Sequence, residues 1–244
     1  MNRNSALLWL PKIEEAGLSV PQTVIVPYSH TEILPLFDNE ACPEFERLSG
    51  AVEEAIGSIG YPVFVRSDLT SAKHAGPRAY RIEDPSKIRS VLFKTLEDNE
   101  LKFWLERDGP KAILVRKFLT LPAPFTAFRG LPISREFRFF AQPDRIICYH
   151  PYWPDEAIQD HIDGGYGGWR EDLPEVHRLA DEAFDGLAAM AIKAAEACGH
   201  GPWSVDFAED DNGKWWLLDM ATAADSWHWT GCQALQAVLE KTGK

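Results

Sequence analysis

The chain has 244 residues, with 25 Lys plus Arg against 37 Asp plus Glu, a formal charge of −12, and 45% apolar residues. That is enough to build a core for one large domain or two small ones. The 9 Trp, 13 Phe and 6 Tyr exclude a disordered chain. The acidic balance excludes a protein that coats nucleic acid by neutralising phosphates, and leaves room for a local basic pocket. No apolar run approaches the roughly 20 residues that cross a bilayer. The first residues carry no signal-type cleavage site and read as part of the fold, so the expected compartment is the cytoplasm, with neither membrane nor nucleic acid as partner.

In chain order, residues 7–16 have helical spacing and residues 21–26 read as a strand after a proline turn. Alternation predicts strands at 63–66, 112–117 and 135–140. Between the first two lies a helix over 85–107, with Asp84 as N-cap and Pro85 at its first position. One long helix is predicted over 174–198, about 37 Å at 1.5 Å per residue. Asp172 and Glu175 have capping-box spacing at its start, and Gly199 closes it. Two further strands, 203–209 and 214–220, flank Asp210-Asp211-Asn212-Gly213. This order predicts an α+β fold with antiparallel sheets in two lobes: an α/β cap over 1–55, a small lobe over 56–120 and a large lobe over 121–244. Cys42, Cys148, Cys198 and Cys232 lack C-x-x-C spacing and read as small buried apolar residues rather than a disulfide framework or a zinc site.

Asn-Gly is a strong signal for a two-residue hairpin turn, because both turn positions want positive φ. With Asn212 and Gly213 as that turn, Asp206 falls opposite Asp219, and like charges so placed destabilise a sheet. Val205, Phe207, Trp216, Leu218 and Met220 alternate onto the other face as a core face. Three explanations compete for the opposed acids: a bridging Mg2+, a Lys or Arg placed between them, or an acid/base pair for glycoside hydrolysis.

Cations for phosphate occur upstream. Arg66 ends a strand, and Lys73 follows in the small polar run Ser67-Asp68-Leu69-Thr70-Ser71-Ala72-Lys73, whose amides and hydroxyls suit anionic oxygens. A solvated strand end is the plain alternative. Glu136 and Arg138 share a strand face, as nucleotide contacts or as a cross-strand ion pair. Arg116-Lys117 runs into Phe118-Leu119, a strand-to-loop passage able to read an adenine edge. Neither a Walker motif nor a Rossmann glycine spacing is present.

The succession Val65-Arg66, Ser71-Ala72-Lys73, Leu114-Val115-Arg116-Lys117-Phe118, Arg135-Glu136-Phe137-Arg138-Phe139, Ser204-Val205-Asp206-Phe207 and Trp216-Leu217-Leu218-Asp219 resembles the ATP-grasp superfamily. Within it, the chain is similar to the branch of the eukaryotic cell-division-cycle protein that helps assemble a translation initiation factor, and to its bacterial and phage relatives. The resemblance implies an α+β ATP-grasp fold with ATP and Mg2+ held between two lobes. By position, it assigns Arg66, Ser71 and Lys73 to the phosphates, and Arg116, Lys117, Phe118 and Leu119 to the adenine-side hinge. Glu136 and Arg138 fall to the nucleotide or substrate, Asp206 and Asp219 to the metal, and Lys73 and Arg138 to charge neutralisation in catalysis.

Two departures stand out. Arg66 occupies a position that is commonly lysine, as in an arginine-for-lysine clade, and its planar fork still suits phosphate. Ala221 replaces the metal-side Asn, leaving Ser204, Thr222 or Asp225 as substitute ligands.

The function implied is an ATP-dependent ligase that activates a carboxylate as an acylphosphate for attack by an amine or similar nucleophile. The absence of G-x-S-x-G and of a convincing Cys/His pair agrees with a reaction that needs no side-chain nucleophile. The alternative is an ATP-binding assembly factor that docks a partner protein. Segments 163–169 and 225–229 read either as the acceptor side or as a surface loop and a tryptophan packing patch.

Overall fold

The computed structural model of the protein describes residues 2–70, 80–106, 109–199 and 201–241, the side chains of 101–106 and 241 excepted. The expected phosphate ligands Ser71 and Lys73 lie outside the described residues. The chain divides into two compact units, residues 1–7 with 21–119 and residues 8–20 with 120–244.

In the first unit, β1 (Thr23–Pro27), β2 (Val63–Ser67), β3 (Arg81–Ile82) and β4 (Ala112–Lys117) form an antiparallel sheet in the order β1-β4-β2-β3. Period-2 alternation sends Val63, Val65, Ile113 and Val115 to one face, where they meet Leu48, Val52 and Ile56 of α3 (Pro43–Ile59) and Leu92 of α4 (Ile88–Glu106). Of the stretch 1–55 expected as an α/β cap, α1 (Ala6–Glu15) is the predicted 7–16 helix, α2 (His30–Ile33) is a single turn, and residues 21–55 supply β1 and α3 to this sheet and core. The start of the predicted 85–107 helix holds: the Asp84 carboxylate accepts the Ser86 amide at 2.9 Å and a 3-10 turn, Pro85–Lys87, leads into α4.

In the second unit, β7 (Glu136–Gln142), β8 (Arg145–Pro151), β9 (Trp203–Glu209) and β10 (Trp215–Thr222) form an antiparallel sheet in the order β10-β9-β7-β8. Helix α7 (Asp181–Cys198) packs on one face, Phe184 meeting Phe139 and Tyr149 at ring-centroid distances of 5.9 and 4.9 Å. The small hairpin of β5 (Phe125–Ala127) and β6 (Leu131–Ile133) shares a separate apolar cluster with α5 (Asp155–Gln159) and α6 (Trp169–Val176). Leu235 of α8 (Gln233–Lys241) packs with Phe140 and Ala223.

The single helix predicted over 174–198 is two helices, α6 and α7, interrupted at residues 177–180. The capping box does not form. Asp172 instead accepts the Tyr166 hydroxyl at 2.9 Å, and Glu175 is held by Arg135 and Arg178. The His177 amide closes α6 on the Leu173 carbonyl at 2.9 Å while its ring is 2.7 Å from the Trp153 carbonyl, so the chain turns there and restarts behind Asp181 and Glu182.

Candidate functional site

The opposed carboxylates are in register, but not through the expected turn. The Asp210 amide donates to the Lys214 carbonyl at 2.9 Å, and the Gly213 amide to the Asp210 carbonyl at 3.0 Å, closing a loop of Asp211, Asn212 and Gly213. Gly213 has φ +75° whereas Asn212 does not enter the positive region, the pattern of a type I turn followed by a left-handed residue. The Asp210 carboxylate also accepts the Asn212 and Lys214 amides, each at 2.9 Å, and the Trp216 indole at 2.8 Å. These bonds, led by the indole, lower the Asp210 carboxyl below its ordinary value.

From that loop Trp216 pairs with Ala208 and Leu217 with Phe207, one residue out of the expected register. A bulge between Leu217 and Asp219 then adds a residue, and from there Asp219 faces Asp206, Met220 faces Val205 and Ala221 faces Ser204. The bulge corrects the core face as well: Leu217, not Leu218, sits opposite Phe207 and is fully buried.

Asp206 also pairs across β9 and β7 with Arg138, and Arg138 across β7 and β8 with His150. Asp219, Asp206, Arg138 and His150 therefore make one transverse row. The Arg138 guanidinium grips Asp206 bidentately, Nε to Oδ1 at 2.7 Å and Nη2 to Oδ2 at 2.8 Å. It lies 4.8 Å over the Tyr152 ring, and Nη1 donates to the Trp227 carbonyl at 2.9 Å. Burial opposes the charge of Arg138, but Asp206, with Tyr152 and Asp219 adding to it, holds the guanidinium firmly protonated. An arginine thus answers the carboxylate repulsion. The cross-strand ion pair weighed from the sequence forms at Arg138, with Asp206 of β9, while Glu136 is buried and accepts the Ser134 hydroxyl at 3.1 Å.

These donors suit one oxygen-bound dication rather than two. Asp219 is half-buried, with one oxygen receiving the Met220 amide at 3.0 Å. Asp206 has both oxygens on Arg138 yet keeps further lone pairs. Ala221 offers no ligand, and the Thr222 hydroxyl is turned to Asp225 at 2.5 Å, so of the three substitutes expected from sequence two are bonded to each other. The third, Ser204, is buried opposite Ala221.

In the first unit Arg66 is buried on β2 opposite Leu114 of β4, on the sheet face away from Val63 and Val65. Arg116 is buried opposite Phe64 on the same face, its Nε donating to the Thr23 hydroxyl at 3.0 Å. At the expected hinge the Lys117 amide is committed to the Gln22 carbonyl (2.8 Å) and the Phe118 amide to the Pro62 carbonyl (3.2 Å). Leu119 is the next amide along. The Phe118 ring lies under Arg81 at 4.4 Å.

The Asp163 end of the glycine loop is tied down, its carboxylate accepting the Arg129 and Gly130 amides at 3.1 and 2.6 Å. A cavity of about 520 Å³ in the second unit is lined by Pro122, Pro124, Arg135, Glu175, Glu209 and Asp210, at the turn end of the sheet and without Arg138, Asp206 or Asp219. Sequence reasoning missed a cluster beside the row. Cys148, His150, His228 and Cys232 bring one ligand atom each to within 4.8 Å of one another. Two of the four cysteines are therefore partly exposed and grouped with histidines, while Cys42 and Cys198 are buried as expected. The i, i+2 spacing of Cys148 and His150 on a strand was the available signal; the strand pairing and segment packing that bring residues 228 and 232 to them were not.

No protein-family model matches the chain, and neither does any curated protein sequence. Solved structures do match. Cdc123 from Schizosaccharomyces pombe aligns with a TM-score of 0.61 at 14% identity, over 97% of this chain and 90% of that one. D-alanine–D-alanine ligase from Bacillus anthracis, solved with ATP, gives 0.51 at 11% identity over 98% of this chain and 60% of that one. A RimK domain ATP-grasp protein from Sphaerobacter thermophilus DSM 20745 gives 0.50 at 17% identity over 96% and 63%. The chain spans less than two thirds of the two longer proteins. The fold is that of the ATP-grasp proteins, an α+β arrangement with antiparallel sheets. Within that class the chain resembles Cdc123.

Proposed function

We propose that the chain binds ATP with Mg2+ and works as an ATP-dependent ligase, activating a carboxylate as an acylphosphate for attack by an amine or similar nucleophile. The observation that carries this reading is the row Asp219, Asp206 and Arg138, two acids and a cation side by side on adjacent strands. Mg2+ would be held by Asp219 and the remaining lone pairs of Asp206, where it would spread charge off the phosphates. Arg138, kept charged by Asp206, contacts the phosphates or the developing phosphoryl charge, a task suited to a planar fork of donors. From the first unit we assign Arg66 and Lys73, with Ser71, to phosphate, and Arg116, Lys117, Phe118 and Leu119 to the adenine side. Lys73 joins Arg138 as a catalytic cation, and Glu136 is assigned to the nucleotide.

Calorimetry tests the metal assignment. Asp219→Asn should weaken Mg2+-dependent ATP binding about tenfold or more while leaving the chain folded, and unchanged affinity would remove the site.

A second reading, an ATP-binding assembly factor without ligation, is favoured by a specific observation. Arg138 occupies both oxygens of Asp206 and Ala221 removes a ligand, so the metal site is thinner than a two-metal one. The Cdc123 match over 90% of that protein's length adds to this reading. The acceptors to be tried are amino acids, peptides and proteins. Release of ADP or AMP measured against a panel of these separates the two: binding without turnover, with capture of one defined partner, overturns the ligase.

A further inference from the structure

Cys148 and His150 stand two residues apart on β8 and so point to the same face of the sheet. His228 and Cys232 lie on the segment leading into α8, four residues apart. The two pairs meet. The His228 Nε2 atom is 3.3 Å from the Cys148 Sγ and 3.2 Å from the His150 Nε2, and all four donor atoms fall within 4.8 Å of one another. The rings around them are fixed: Trp229 stacks on His150 at 5.8 Å with its indole nitrogen on the Pro151 carbonyl, and Phe140 meets His228 edge-on at 4.8 Å.

We propose that Cys148, His150, His228 and Cys232 form a tetrahedral Zn2+ site that fastens the segment before α8 to the second sheet. Zinc binds imidazole nitrogen at about 2.0–2.1 Å and thiolate sulfur at about 2.3 Å, so a tetrahedron of these ligands has edges of about 3.3–3.8 Å. The observed nitrogen–nitrogen separation of 3.2 Å and nitrogen–sulfur separation of 3.3 Å lie a few tenths of an ångström or less below the matching edges, so small side-chain shifts would admit the ion. Two sulfurs and two nitrogens select Zn2+ over the oxygen-seeking Mg2+ assigned to the acids nearby.

Protonation agrees with this geometry. Burial, with His228 adding, lowers His150 to about 4, and burial with Arg138 lowers His228, so both rings are neutral with a lone pair to give. Burial and the neighbouring Cys232 raise the Cys148 thiol to about 12, so in the metal-free chain it stays protonated; a bound dication displaces that proton outright. Two thiolates then balance the charge of the metal. The adjacent Trp227 carbonyl accepts from Arg138, so the site would also fix the strap that holds the row's arginine.

The test is elemental analysis of the full chain, nucleotide-free, after dialysis with zinc. Close to one zinc per chain is expected, retained in Cys42→Ser and lost in Cys232→Ser, with circular dichroism confirming that both variants are folded. Cobalt exchanged into the wild-type chain should show the intense ligand-field bands of a tetrahedral site together with thiolate charge transfer, a readout that does not depend on any variant folding. Absence of bound metal, zinc retained in Cys232→Ser, an octahedral cobalt spectrum, or a Cys148–Cys232 disulfide found by mass spectrometry of the freshly purified chain would each overturn the proposal. None of these measurements involves ATP, so the site and the nucleotide reading fail separately.

Discussion

Two polar clusters lie side by side on one face of the second sheet, and each handles crowding differently. Across β10, β9 and β7 the chain balances charge from within: Asp206 and Asp219 repel, and Arg138 answers both. Next to them Cys148, His150, His228 and Cys232 crowd four metal-ligating atoms within 4.8 Å of one another. The first cluster is complete as protein and has capacity to spare for a ligand. The second offers lone pairs to one another and is completed by a soft cation. Internal compensation makes the row a stability element in its own right, whereas the cluster would add stability only once metal is bound.

The largest expected effect tests that internal compensation. Arg138→Met leaves Asp206 buried beside Asp219 with no counter-charge, and breaking one partner of such a pair costs about 3–5 kcal/mol. Urea unfolding should show this loss, and Arg138→Met with Asp206→Asn should recover most of it. If the double variant is no more stable than the single one, the row is not a compensated unit.

Next comes the turn that aims the row. Asp210→Ala removes the acceptor of two amides and the Trp216 indole, and we expect a loss of about 2 kcal/mol. The sign with pH follows from the lowered carboxyl: the folded state binds the proton less readily than the unfolded chain. The contribution of Asp210 is therefore full above the ordinary carboxylate value and disappears as pH falls through the folded one. The stability difference between wild type and Asp210→Ala should shrink in acid, and a difference constant down to the acid limb would contradict the bonding described.

The two clusters also differ in how far the sequence could reach them. Alternation within strands placed Val63, Val65 and Phe207 on core faces, and the Asp84-Pro85 signal located the start of the helical stretch containing α4, because both effects are local. The facing of Asp206 and Asp219 was reached by two compensating departures, a three-residue loop where two were expected and the extra residue at Leu218. Bulges arise from strand twist and packing, which no dipeptide encodes. The interruption at 177–180 escaped because Pro174 and the periodic apolar residues on either side continue a helical pattern that only the contact of His177 with Trp153 stops. Partners 78 and 80 residues apart, as His228 is from His150 and Cys148, leave no trace in spacing.

The smallest effects distinguish the two turns that would produce the same facing acids. A two-residue turn of mirror type demands positive φ at both Asn212 and Gly213, and Asn212→Ala would then cost about 1–2 kcal/mol for placing a Cβ in the left-handed region. In the observed loop only Gly213 is left-handed, with φ +75°, and a Cβ added there would stand 3.9 Å from its nearest obstruction, the Glu209 carboxylate. Gly213→Ala should therefore lose about 1 kcal/mol through backbone strain alone, and Asn212→Ala less than about 0.5 kcal/mol. Equal losses at the two positions would restore the two-residue turn. That turn would carry its register past Leu217 without a bulge, returning Leu218 to the core face and keeping Asp219 opposite Asp206, so the pair of thermal melts reads the backbone that positions the carboxylates and not merely the turn.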